Sequence, residues 1–81
     1  LYKKHLHCEA IHWINNQESN NLFARIRHRQ QLQECNLNKD GTITFQTPQR
    51  AVSPGQFVVL YKNQQCLGGA MINYGFNSQN K

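Results

Sequence analysis

The chain of 81 residues and 9.4 kDa is long enough for one small hydrophobic core, and it is too short for a two-domain enzyme. Hydrophobic residues make up 38% of it and charged residues 16%, both low shares, because ten Asn and ten Gln occupy many positions. Nine Lys and Arg against four Asp and Glu give a formal charge of +5, which favours an anionic partner such as nucleic acid or an acidic membrane surface.

The apolar runs and the cysteines indicate in which cellular compartment the protein is expected. The longest apolar run, residues 57–61, is far shorter than the roughly 20 residues that span a bilayer, and no secretory leader pattern opens the chain. Cys8, Cys35 and Cys66 lie far apart, form no C-x-x-C pair and leave one thiol over in any disulfide scheme. We therefore expect a soluble protein of a reducing compartment with no membrane partner: the cytoplasm, or an organelle if the source is eukaryotic.

The first half of the chain predicts four strands. The first covers residues 7–14 and is followed by an amide-rich loop, 15–21. From residue 22 onward apolar and polar residues alternate, so the second strand should have a core face and a cationic face. The core face holds Leu22, Ala24 and Ile26, and the other face holds Phe23, Arg25, Arg27 and Arg29. Strands at 34–38 and 42–46 should form a hairpin, because Asp40-Gly41 supplies the positive φ angle of a tight turn.

The second half predicts two more strands. Ser53-Pro54-Gly55 indicates a turn before a buried strand at 57–61, and a second turn at 62–65 leads into a strand at 66–72. Gly68 and Gly69 indicate a bulge, a barrel corner or a close backbone approach in that strand, and residues 73–81 are expected to form a tail.

Six short strands without a helical pattern predict an all-β fold. The expected architecture is a small six-stranded antiparallel β-barrel, because closure removes the sheet edges that a sandwich of this length would expose. We expect one domain, 1–81, with a core over about 7–72.

Zinc-ligand residue types cluster near the start of the chain, at His5, His7, Cys8 and His12. On a strand, His5 and His7 would share one face while Cys8 and His12 share the other. We therefore expect ordinary surface histidines and no metal site.

The inventory of catalytic groups is poor. Four carboxylates are scattered through polar stretches, G-x-S-x-G is absent, and Gly68-Gly69 is followed by neither Lys-Ser/Thr nor a helix. Cys35 and Cys66 lie in apolar strands, which favours buried small side chains over nucleophiles. We predict no catalytic residue and no cofactor site in this segment.

The segment R-I-R-H-R-Q, residues 25–30, is the most distinctive feature. On an extended strand its three arginines would lie on one face at intervals of about 7 Å, similar to the spacing of phosphates along a nucleic-acid strand. The same row is equally compatible with a solvated barrel exterior or with ion pairs to a neighbouring domain.

Several segments together resemble a known family, in order and in spacing. They are A-R-I-R-H-R-Q at 24–30, Cys35, P-Q-R-A-V-S-P-G-Q at 48–56, V-V-L-Y at 58–61 and C-L-G-G at 66–69. This pattern, which covers nearly all of the chain from His12 to Ile72, resembles the C-terminal domain of tRNA-specific 2-thiouridylases. The resemblance implies a six-stranded barrel like the second domains of translation factors, placed last of three domains.

The resemblance also implies a function for a longer enzyme. Such enzymes replace the 2-oxygen of the wobble uridine of tRNA with sulfur, using ATP, Mg²⁺ and a persulfide sulfur donor. The implied partners are tRNA, the N-terminal and central domains of the same enzyme, and a sulfur-relay protein or cysteine desulfurase. The family's S-G-G-x-D-S ATP loop and both catalytic cysteines lie outside this segment, so the resemblance gives no catalytic role to its three cysteines.

Carried over by position, the family's tRNA contacts fall on Arg27, His28 and Gln56, with Arg25 and Arg29 beside them in the same strip. His28 stands where a Tyr is common in the family. Arginine offers fixed donors to phosphate, histidine a flat ring, and glutamine an amide for a ribose or base edge.

Three functions remain compatible with the sequence. The first is a non-catalytic domain that binds and positions tRNA, and the second is a structural barrel that docks on the other domains of the enzyme without contacting RNA. The third is a free-standing small-barrel binding module, although a start at Leu1 without Met is expected of a segment of a longer protein. Arginines lying against carboxylates would favour docking, and an open basic strip containing Gln56 would favour RNA.

Overall fold

The structure is a computed structural model that describes residues 1–78. Strands and the turns between them make up this part of the chain, and it contains no helix long and apolar enough to cross a membrane. The strands are β1 Tyr2–Cys8, β2 His12–Trp13, β3 Leu22–Arg25, β4 Gln33–Leu37, β5 Ile43–Arg50, β6 Phe57–Lys62 and β7 Gln65–Phe76.

The strands close into an antiparallel barrel. The order β1-β5-β4-β3-β6-β7 returns to its start because β7 also pairs with β1, and the two-residue β2 pairs with β7 beyond the end of β1. Closure leaves the six main strands without a free edge. The predicted six-stranded antiparallel β-barrel is confirmed.

The barrel interior is filled by alternate residues of every long strand. Leu22 and Ala24 are fully buried, Ile26 is 6% exposed, and Phe23 between them faces outward, so the predicted core face of this strand is confirmed. Among residues 1–78 the buried apolar residues are Leu6, Leu22, Ala24, Ile26, Cys35, Ile43, Phe45, Val58, Leu60, Leu67, Ala70 and Ile72.

The predicted hairpin at residues 38–41 is confirmed. The Asn38 amide donates to the Thr42 carbonyl at 2.8 Å, and Gly41 takes a φ of 90°. A carboxylate oxygen of Asp40 accepts hydrogen bonds from the Thr42 hydroxyl and backbone amide, which hold the pKa of Asp40 below its ordinary value. The strand that follows continues to Arg50, four residues beyond the prediction.

The first predicted strand, 7–14, is wrong as a single element. The structure has β1 at Tyr2–Cys8 and the separate β2 at His12–Trp13, both paired with β7. The pairing of β2 brings the His12 backbone against Gly68, where a β-carbon would lie 2.2 Å from the His12 carbonyl oxygen. Gly68 therefore satisfies two of the three interpretations of the glycines: the close backbone approach, and a bulge, because the pairing of β7 with β6 shifts register between Cys66 and Gly68.

The predicted tail begins too early. Residues 73–76 belong to β7 and pair with β1, with His5 opposite Phe76 and Leu6 opposite Gly75. Stacked rings accompany this pairing: His5 lies 5.0 Å from Phe76, centroid to centroid. Residues 79–81 of the predicted tail lie outside the described residues.

Candidate nucleic-acid interface

The basic loop, residues 26–32, joins β3 to β4. Its first amide, that of Ile26, donates to the side-chain oxygen of Gln30 at 2.9 Å, and the Gln30 amide donates to the Arg27 carbonyl at 3.1 Å. These bonds end the strand at Arg25 and turn the chain. The prediction that Arg25, Arg27 and Arg29 form a row on one strand face is therefore wrong, because a local glutamine takes the amide that a strand would present to its neighbour.

A cluster of amide side chains around the buried Gln49 holds the basic loop on the barrel. Gln49 is 2% exposed and accepts a hydrogen bond from the Gln30 side chain through its amide oxygen. Its amide nitrogen donates to the Thr47 carbonyl at 2.7 Å and toward the Gln33 side chain at 3.5 Å. The sequence indicated no role for Gln49. Its burial is visible only once β5 is known to extend past residue 46.

Arg25 is fixed against the outer face of β6. One of its terminal nitrogens donates to the Tyr61 hydroxyl at 3.1 Å and the other to the Gln30 carbonyl at 3.4 Å. The centre of its guanidinium group lies 5.1 Å from the centroid of the Tyr61 ring, which is within the range of a cation–π contact. Arg25 is thus a positioned cation whose partners are all neutral.

Arg27 crosses to the end of β5. Its Nη2 atom donates to the carbonyl oxygens of Arg50 and Ala51, and Ala51 has a φ of 55° at this corner. A guanidinium carries five N–H donors, so the remaining donors of Arg27 stay available to a phosphate. The side chain is exposed and held in place at the same time.

The other predicted contact residues lie in different positions. His28 and Arg29 are exposed in the turn of the basic loop. The amide oxygen of Gln56 accepts a hydrogen bond from the Ser53 backbone at 2.8 Å, which turns it toward the 53–56 turn. Gln56 adjoins the interface through its chain neighbour Phe57.

A surface cleft of about 380 Å³ joins three of the predicted residues to the barrel wall. Arg25, Arg27 and His28 supply its cationic side, and Phe57, Val59 and Tyr61 of β6 supply its apolar side. Gln56 and Arg29 are not among the residues that line it.

Charge is divided between the two ends of the barrel. All four arginines, Arg25, Arg27, Arg29 and Arg50, lie at the end that carries the basic loop, which we call the basic end. Three of the four carboxylates, those of Glu9, Glu18 and Asp40, lie in loops at the opposite end of the barrel. The fourth, that of Glu34, lies on the outside of β4. Within residues 1–78 the only ion pair joins Lys62 to Glu18, at 3.1 Å. No carboxylate of the described residues therefore offsets the charge of the arginines.

The family comparison agrees with the fold. The family model described as aminomethyltransferase beta-barrel domain matches residues 3–72. The chain belongs to this family.

Relatives of this barrel domain are named tRNA-specific 2-thiouridylase MnmA. The protein from Legionella pneumophila strain Philadelphia 1 is 43% identical, in an alignment that covers 89% of this chain and 22% of that protein. The protein from Vesicomyosocius okutanii is 42% identical, with 91% of this chain and 22% of the relative covered. The protein from Methylococcus capsulatus is 36% identical, with all of this chain and 24% of the relative covered. The chain thus spans about a quarter or less of the length of these relatives, and the resemblance seen in the sequence is confirmed.

The histidine and cysteine group near the start of this barrel domain is spread out. His5 donates to or accepts from the Thr44 hydroxyl at 2.9 Å, and His7 stacks on Tyr74 at 4.8 Å, while Cys8 packs against the core. No three His, Cys, Asp or Glu side chains in the described part of the chain converge as metal ligands. This donor set does not fit the Mg²⁺ of an ATP site.

The thiols of the barrel domain are free, and two of them resist ionisation. Burial raises the pKa of Cys8 to about 11. Burial, aided by the neighbouring Glu34 carboxylate, raises the pKa of Cys35 to about 12. Both thiols are protonated at neutral pH, which makes them poor nucleophiles.

Sequence reasoning missed the aromatic side of the cleft. Residues 57–61 were expected to be buried throughout, but only Val58 and Leu60 are fully buried, and Phe57 is 56% exposed. The alternation rule applied to F-V-V-L-Y would have turned Phe57 and Tyr61 outward, beside the cationic face of β3.

Proposed function

We propose that the chain is a non-catalytic tRNA-binding domain that positions tRNA for 2-thiouridylation by other parts of a longer protein. The observation that carries the proposal is the basic end: four arginines with no carboxylate within ion-pair distance among residues 1–78. A concentration of uncompensated cations on one side of a small domain is the electrostatic footprint of a nucleic-acid binder.

Arg25 and Arg27 support this role through their geometry. Each guanidinium is oriented by neutral oxygen atoms, so it is held in place without being neutralised. A cation that is already ordered loses little side-chain entropy when a phosphate binds. Phe57 adds a flat apolar face of the kind that contacts unpaired bases.

The chemistry of sulfur transfer we assign to other parts of such a protein. ATP, Mg²⁺ and a persulfide donor need a phosphate-binding loop, metal ligands and an ionisable thiol, whereas Cys8 and Cys35 have raised pKa values. We expect the chain alone to show neither ATP hydrolysis nor sulfur transfer to RNA. The other domains, tRNA and a sulfur-donating protein are the partners that the proposal requires, in the cytoplasm or an organelle.

Binding of this chain to unmodified tRNA, followed by fluorescence anisotropy over a range of salt concentrations, tests the proposal. The informative variant is Arg29→Ala, because Arg29 is exposed and makes no side-chain hydrogen bond within the described region. The matched control is Lys39→Ala, which removes the same charge at the opposite end of the barrel.

We expect Arg29→Ala to weaken binding and to flatten the plot of log affinity against log salt by about 0.7–0.9 for one lost phosphate contact. Lys39→Ala should leave that slope unchanged. Equal effects of the two variants would show that only net charge matters and would contradict a binding surface at the basic end. An absence of tRNA binding by the unaltered chain would refute the proposal outright.

A second candidate function is docking on other domains of a longer protein. It is favoured by an exposed apolar strip on the outside of the barrel, where Phe57 pairs with Met71 across β6 and β7 and Ile14 lies 60% exposed after β2. Under this function Met71→Lys would weaken docking, whereas Arg29→Ala would not. Measuring tRNA affinity and domain association for both variants separates the two candidates.

A further inference from the structure

In the cleft at the basic end, the strand register places an arginine beside two aromatic side chains. Arg25 of β3 lies opposite Val59 of β6, and Phe57 and Tyr61 flank Val59 on the same outer face, two residues away on either side. Val59 therefore lies between the two aromatic side chains along the strand, and the guanidinium of Arg25 lies over the ring of Tyr61.

The width of the slot suits one base. Phe57 and Tyr61 are four residues apart on a strand, which separates their α-carbons by about 13 Å. The guanidinium of Arg25 covers the Tyr61 ring, 5.1 Å from its centroid, so the space left in the cleft lies between this guanidinium and Phe57. A planar ring in contact on both faces, at about 3.5–4.0 Å each, needs about 7–8 Å, which is less than the α-carbon separation of Phe57 and Tyr61.

The two walls have the chemistry that a nucleotide requires. Phe57 presents a ring that is 56% exposed to water. The guanidinium of Arg25 is a second flat surface on which bases stack, and Arg27 and His28 line the same cleft as donors to a phosphate. A bare phosphate would leave the aromatic wall unused, and in a double helix the bases are stacked on one another, so no free ring face would reach Phe57.

We propose that this cleft binds a single unstacked nucleotide of a single-stranded RNA segment, with its base between Phe57 and the Arg25 guanidinium. The inference rests on the proposed RNA-binding function and goes beyond it, because charge alone would bind any region of an RNA. The cleft instead selects a position where a base is free to leave the stack.

The test uses the 81-residue chain and fluorescein-labelled single-stranded RNA octamers, alone and with every base removed to leave the sugar-phosphate chain. Phe57→Leu removes the flat ring, Phe57→Tyr keeps it, and Met71→Leu alters the exposed neighbour across the strand as a control. Since Phe57 is largely exposed, none of these changes should unfold the barrel, which thermal denaturation checks.

We expect Phe57→Leu to weaken binding of the base-containing octamer about 5- to 150-fold, the loss that corresponds to one stacked base. Phe57→Tyr and Met71→Leu should bind like the unaltered chain, and on the abasic octamer all four proteins should bind alike. The salt slope should not change with Phe57→Leu, because no charge is lost.

Three results would overturn the nucleotide slot. They are an unchanged affinity of Phe57→Leu for the base-containing octamer, an equal loss on the abasic octamer, and an equal loss for polyglutamate, which would identify an acidic peptide as the occupant. In each case the effect of Arg29→Ala on tRNA binding is unaffected, so failure of the slot is distinguishable from failure of the proposed function.

Discussion

Replacing Gln49 by Met should destabilise the barrel and loosen the basic loop without changing any charge. Gln49 is buried, and its side chain joins the loop residue Gln30 to the Thr47 carbonyl of β5. Met fills a similar volume, so the substitution removes the hydrogen bonds with little change in packing.

The magnitude follows from the bonds that are lost. Two good hydrogen bonds to Gln30 and Thr47 contribute about 0.5–1.5 kcal/mol each, which gives a loss of about 1–3 kcal/mol. The third contact, to Gln33, is 3.5 Å long and adds little. For a domain of this size the melting temperature should fall by about 4–8 °C for each kcal/mol.

Urea denaturation of Gln49→Met, Gln30→Met and the double variant measures the cluster directly. If the two amides act as a unit, their effects should be coupled by about 0.5–3 kcal/mol. RNA affinity of Gln49→Met should also fall, with the salt slope retained, because the arginines remain but their loop is released. Additivity within about 0.3–0.5 kcal/mol would refute the view that Gln49 holds the basic loop through Gln30.

Four further outcomes are expected. Arg27→Ala should cost about 0.5–1.5 kcal/mol of unfolding free energy in urea titrations, because its bonds to the end of β5 are lost; a neutral effect would show that these bonds contribute nothing. At pH 8, Cys8 should react with iodoacetamide roughly 100-fold more slowly than a thiol of pKa 9.0, and Cys35 roughly 1000-fold, because burial raises their pKa values to about 11 and about 12. Since thiols of the unfolded chain ionise at lower pH than these two, the melting temperature should fall as the pH rises from about 9 towards 12, and a flat profile would contradict the raised values. Gly68→Ala should destabilise the barrel by about 1–3 kcal/mol more than Gly41→Ala, since both glycines have positive φ but only Gly68 meets another strand within 4 Å of a new β-carbon; thermal denaturation of the pair decides.

Short sequence patterns correctly predicted the elements whose structure depends on residues close together in the chain. The alternation of Leu22, Ala24 and Ile26 predicted the inner face of β3, and Asp40-Gly41 predicted the hairpin. In both places the residues that set the structure lie within a few positions of one another.

Pairing between distant segments could not be predicted from such short patterns. Strand β1, Y-K-K-H-L-H-C, has one fully buried apolar residue, Leu6, and therefore no alternating pattern. It is a strand because distant segments pair with it, β5 on one side and β7 on the other, with His5 opposite both Thr44 and Phe76. The tail prediction failed for the same reason, since residues 73–76 form a strand through their pairing with β1.

At the candidate site, the residue types predicted which chemical groups are present, but they did not predict how the side chains are arranged. The sequence indicated the cations and the turn that ends at Gln56, but it placed Arg25, Arg27 and Arg29 on one strand. The arrangement differs because the Ile26 amide donates a hydrogen bond to the side chain of Gln30, which bends the chain after Arg25. Such a bond depends on the Gln30 rotamer, which Gln49 fixes from a strand whose length the sequence understated.

The way the barrel holds its arginines bears on what they can bind. At the opposite end Lys62 is held by the carboxylate of Glu18, so that its charge is cancelled within the domain. At the basic end Arg25 and Arg27 are held by a phenol and by backbone carbonyls, which orient a guanidinium and leave its charge intact. Ordered cations that repel one another lower the stability of a free domain, and they gain most when an anion with several regularly spaced charges approaches. A nucleic-acid backbone has this property, whereas a single carboxylate on a neighbouring domain does not, which is why the neutral partners of these two arginines favour RNA over docking.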